Sequence, residues 1–95
     1  MEKVFWKNEK CDLEIVKGAY PNGQTAILLT TETGERMATA TVALNVPIKE
    51  NEVLIKSYSE NSGMIEALMQ ADVVEPPKDV VPCGMATAFL CELKG

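Results

Sequence analysis

Ninety-five residues, 46% of them hydrophobic and 24% charged, supply one small core and no second, which excludes a multidomain chain and a disordered one. Fourteen acidic against nine basic side chains leave a net charge of −5, which disfavours non-specific attraction to nucleic acid or to an anionic membrane surface. No segment approaches the ~20 apolar residues of a bilayer-spanning helix, and the opening MEKVFWKNEK lacks the apolar core of an export signal, so a cytoplasmic domain is expected.

Residues 1–10 read as a looser extension in which Phe5 and Trp6 lengthen the first strand, pack under a helix, or stand exposed for a partner. From Asp12 to Tyr20 the alternation of Leu13, Ile15 and Ala19 with Asp12, Glu14 and Gly18 predicts a half-buried strand. YPNG then reverses the chain, since Pro21 presets φ and Asn22 and Gly23 tolerate positive φ. QTAILLTT is the return strand, and ETGE is a second reversal around Gly34.

A third strand is expected from Arg36 to Val46, with Ala38, Ala40, Val42 and Leu44 on one face, where a covering helix can approach closely. Pro47 and the polar Lys49, Glu50 and Asn51 mark a loop, and Val53 and Ile55 set the alternation of a fourth strand from Glu52 to Tyr58. In the SYSEN hinge that follows, Ser59, Asn61 and Ser62 are candidate caps for the free N–H groups of a first helical turn, and Glu60 and Glu66 suit its positive pole.

Met64, Ile65, Leu68 and Met69 recur at helical spacing, with Glu66, Ala67 and Gln70 outward, and predict a helix of about three turns. Pro76 and Pro77 stop it. Val80 and Val81 and then Met85 to Leu93 give the last strand or pair of strands, with Pro82–Gly84 as a turn or bulge between them. The expected fold is therefore a single α+β domain over 1–95, a mainly antiparallel curled sheet of five to six strands with one short helix packed on it, in the order β-β-β-β-α-β.

Little in this chain points to catalysis. It has no histidine, so a Cys-His nucleophile is impossible, and Cys11, Cys83 and Cys91 form neither a zinc ligand set nor a disulfide framework. Cys91, inside AFLCEL, reads as a core residue, whereas Cys11 and Cys83 lie near predicted element ends, where a reactive thiol is conceivable. Isolated glycines make no phosphate loop. Asp12 and Glu14 share a strand face that a solvated edge explains. No cofactor or metal is expected.

TAILLTTETGERMATATVALNVP, VLIKSYSENSGMIEAL and VVPCGMATAFLCEL together resemble domain-of-unknown-function family 4313, small bacterial proteins of plasmids, conjugative elements and phages. The likeness runs from about Leu13 to Leu93, with Cys83 standing where the family pattern often has a small polar residue. The resemblance implies a mobile-element context and carries over no catalytic residue.

A non-enzymatic module with a protein partner is the leading expectation, using a sheet edge or the small-residue face, with no nucleic acid or membrane partner and with homo-oligomerisation open. The strand-to-helix hinge, at Tyr58, Glu60 and Asn61, is the candidate partner-binding site. Two alternatives stand beside it. One is an acidic inhibitor of a nucleic-acid-handling defence enzyme, presenting Glu32, Glu35, Glu50 and Glu52 to a basic groove; the other is a small-ligand binder or carboxylate- or thiol-based enzyme with a pocket between helix and sheet.

Overall fold

The computed structural model describes residues 3–94, in which seven strands, a single 3-10 turn and one helix follow the order β-β-β-β-β-α-β-β. β1 (Lys3–Trp6), β2 (Glu9–Val16), β3 (Ala26–Thr30) and β4 (Arg36–Thr39) form an antiparallel meander in chain order. β5 (Glu52–Ile55), β6 (Asp79–Cys83) and β7 (Ala86–Glu92) form a second sheet with β7 in its centre. The α+β class holds, but the expected single sheet of five to six strands is two antiparallel sheets of four and three strands, with one strand added before the expected first and the stretch after the helix forming the pair rather than the single strand of the expected order.

The added strand lies within the stretch read as an extension. Lys7 and Asn8 both carry positive φ, 52° and 61°, between the paired residues Trp6 and Glu9, which is the backbone a two-residue hairpin loop of the primed type requires. β1 thereby folds back on β2 and divides the aromatic pair: Trp6 is buried beside Val4, while Phe5 on the opposite face is 61% exposed. β2 starts at Glu9 rather than Asp12 and ends at Val16, so Cys11 is buried and Ile15 is left at 38% exposure.

The expected long strand from Arg36 to Val46 stops at Thr39, where the chain begins to exchange β3 for β5 as its partner, and its pairing with β3 also slips near its start, between Leu29 and Thr30, leaving Met37 as an irregularity in the ladder. Ala40–Val42 then crosses from one sheet to the other. The Ala40 amide donates to Ile27 O at 2.8 Å, the Lys56 amide donates to Ala40 O at 2.8 Å, and the Val42 amide donates to Leu54 O at 3.0 Å. A small residue is required where two strands flank one point, and Ala40 is fully buried there. The YPNG reversal closes as expected, with the Gly23 amide on Tyr20 O at 2.8 Å.

α1 (Met64–Gln70) has seven residues, two turns rather than about three. Met64, Ile65 and Leu68 are buried as their spacing predicts, but Ala67, expected outward, is 7% exposed because α1 lies against β1 and uses a wider stripe. These side chains join Val4, Ile27, Leu29, Val53, Ile55, Val73, Val74, Cys11 and Cys91 in one core. Each large aliphatic side chain buried there contributes roughly 1.5–3 kcal/mol, which holds so short a helix in place.

Beyond α1 the proline-bearing segment runs beside β7, with the Glu75 amide on Glu92 O at 2.8 Å and the Lys78 amide on Leu90 O at 2.9 Å. Of the two readings of the last segment, a strand or a pair of strands, the pair is what forms: β6 pairs with β7 from Asp79↔Leu90 to Cys83↔Ala86. Gly84, with φ 63°, and Met85 form the loop of that hairpin.

Candidate functional site

The chain leaves β5 at Lys56 and reaches α1 through a hinge whose centre, Ser59–Asn61, is the 3-10 turn. None of the expected caps closes α1. The N-cap position is Gly63 in left-handed backbone, with φ 83° and no side chain to offer, and the free amide of Ile65 donates instead to Ser57 Oγ at 3.0 Å. Ser57 does from outside the helix what Ser59, Asn61 and Ser62 were expected to do.

Asn61 is buried at 3% exposure for a different reason. Its Nδ2 donates to Thr39 O at 2.7 Å and to Lys56 O at 3.1 Å, so it ties the hinge to the end of β4. On the other side, Trp6 Nε1 donates to Ser62 O at 3.0 Å and Lys7 Nζ donates to Glu60 O at 2.7 Å. β1 and β4 are the two outer strands of the meander. The hinge thus spans the seam that the curled sheet leaves open.

Glu60 and Asn61 line a cleft of about 550 Å³ at this seam, together with Trp6, Lys7, Met37 and Lys56. Its charges satisfy one another: Lys56 Nζ lies 2.6 Å from Glu60 Oε2, and Lys7 is held both by Glu60 O and over the Trp6 ring, 4.8 Å from its centroid. The bond from Lys56 is the main reason the Glu60 carboxyl is pushed down to about 2. Since Glu60 is 66% exposed, solvent screens the pair and its stabilisation is small.

Tyr58 turns away from that cleft and meets Cys83, hydroxyl to Sγ 3.2 Å, with Lys56 Nζ 5.6 Å from the ring centroid. The Cys83 contact, followed by partial desolvation, raises the Tyr58 phenol above its ordinary range, so it stays protonated at neutral pH. The structure therefore gathers Tyr58, Glu60 and Asn61 in one hinge but gives them different neighbours: a thiol, a lysine and two backbone carbonyls.

The remaining thiols are poor nucleophiles. Burial, helped by Glu9 and Asp12, raises Cys11, and burial alone pushes Cys91 up to about 11, so both are thiols at neutral pH. Cys11, placed near an element end in the sequence, is inside β2 and fully buried. Of the four carboxylates expected to face a basic groove, Glu52 is unavailable, since it is 6% exposed and occupied by the Lys49 amide at 2.6 Å and the Lys78 ammonium. Between helix and sheet there is an open hollow of about 340 Å³ beside Phe5 and Ala67.

Sequence reasoning missed Met85. Assigned to a strand, it occupies the hairpin loop with its side chain wholly exposed, two residues beyond Cys83. The signal was Gly84: a glycine directly after a short apolar strand marks the loop, and the residue after it stands at the tip. The chain matches no family model, no curated protein and no solved structure.

Proposed function

We propose that this chain is a non-enzymatic protein–protein interaction module of a bacterial mobile element, and that it meets its partner at the corner where the hinge touches the β6–β7 hairpin. The mobile-element context rests on the sequence resemblance; the docking surface rests on the fold. The observation that carries it is Met85, a large apolar side chain left fully in water at the hairpin tip, next to the contact between Cys83 and Tyr58. Val80, near the other end of β6, is a second apolar side chain left 52% exposed on the same hairpin. A flexible thioether suits an adaptable protein contact, and exposed apolar groups clustered on a polar surface favour partner binding. The self-satisfied charges of the seam cleft and the protonated, buried thiols offer no comparable support for catalysis.

The test is affinity capture of the tagged protein from host cytoplasm at two salt concentrations, beside a Met85→Glu variant. The reading requires a stoichiometric protein retained by the parent chain and lost by the variant. A parent chain that retains no protein overturns the module, and equal retention by the variant moves the contact away from the hairpin. Loss of the complex at high salt would favour the acidic-inhibitor version.

A further inference from the structure

We infer that Asp79 and Pro82 guard the open edge of β6 against strand addition, so that neither a second copy nor a partner's extended segment can continue the β5-β7-β6 sheet. β6 is the last strand of that sheet, and among the described residues no backbone hydrogen bond reaches it from outside. Such an edge ordinarily presents alternate N–H and C=O groups to any incoming strand. Here the Val80 amide is already donated to Asp79 Oδ1 at 2.8 Å. Pro82, two residues on and therefore facing the same way, has no N–H at all. The row offers carbonyl acceptors and no free donor, although Val80 makes the strand apolar enough to be attractive.

Two of the other edges are covered differently. β5 is flanked by Ala40–Val42, and the outward carbonyl of Thr39 on β4 is taken by Asn61. The guard on β6 is made by residues of the edge strand itself, and it implies that contacts at this hairpin are made by side chains such as Met85.

The experiment compares the parent chain with Asp79→Ala, Pro82→Val and the double variant by sedimentation across a hundredfold concentration range. Circular dichroism checks that each variant is folded. The parent chain should stay at one mass throughout, and the double variant should double its mass with rising concentration. Asp79→Ala alone, which leaves the strand's proline in place, should speed amide exchange at Val80 about tenfold or more without changing exchange in β2 and β3. A folded double variant that remains a monomer overturns the inference, as does unchanged Val80 exchange in Asp79→Ala.

Discussion

A carboxylate as buried as Glu52 persists in ionised form only with partners of its own. The Lys49 amide, and after it the Lys78 ammonium shared with Glu92, hold its carboxyl below the ordinary value of 4.5. Because the folded pKa lies below the unfolded one, the stabilisation is complete above about pH 4.5 and is lost as pH falls through the folded pKa. Glu52→Gln should cost about 1–2 kcal/mol at pH 7, with Lys78 partly exposed and so only partly dependent on the pair. Urea denaturation should show the gap closing as pH drops below 4.5; a gap equal at pH 7 and pH 3 would mean that packing, not charge, is lost. Asn61→Ala should be costlier, about 1–3 kcal/mol, since it leaves the Thr39 and Lys56 carbonyls without their donor.

At the scale of the elements, the hinge shows why some of the structure was legible in the sequence and some was not. The helix could be read because Met64, Ile65 and Leu68 repeat at its period and face the core. Its cap could not, because the closing hydroxyl, Ser57, reaches Ile65 only after the chain has folded back through the Ser59–Asn61 turn. β1 was hidden by a loop, Lys7–Asn8, that takes positive φ without a glycine to announce it. The division into two sheets was hidden because Ala40–Val42 keeps a strand-like sequence while exchanging one sheet's partners for the other's. Backbone hand gives a test within the hinge. A Cβ on Gly63 would lie 3.9 Å from Trp6 Nε1, an ordinary contact, so Gly63→Ala is costly through its φ of 83° alone. That strain is about 1–2 kcal/mol, or roughly 4–8 °C in melting temperature per kcal/mol in a domain of this size. Ser59→Gly, at φ 58°, should shift the midpoint the other way. Calorimetry finding the two shifts of like sign would refute the assignment of strain to these positions.

For the whole molecule, the consequence of a bridged seam is that β1 and the hinge stand or fall together although they are distant in sequence. Trp6 links them: its ring is in the core and its Nε1 holds Ser62 O, 56 residues away. Trp6→Phe keeps an aromatic ring in the core but removes that donor, orphaning a carbonyl and leaving a void where the larger indole lay. Among the described residues the β6–β7 hairpin shares no hydrogen bond with this seam except the Tyr58–Cys83 contact, so its opening should be governed by the pairing of β7 with β6 and β5. Hydrogen exchange on Trp6→Phe should therefore show faster exchange at Val4, Cys11, Asn61 and Ile65 together, with amides of Val81 and Ala88 little changed. Uniform acceleration across all these positions would mean that the seam is not a separate unit and that the two sheets open as one. Acceleration confined to β1 would mean that the hinge is held from the Thr39 side alone, through Asn61, and that the indole bond contributes packing without coupling.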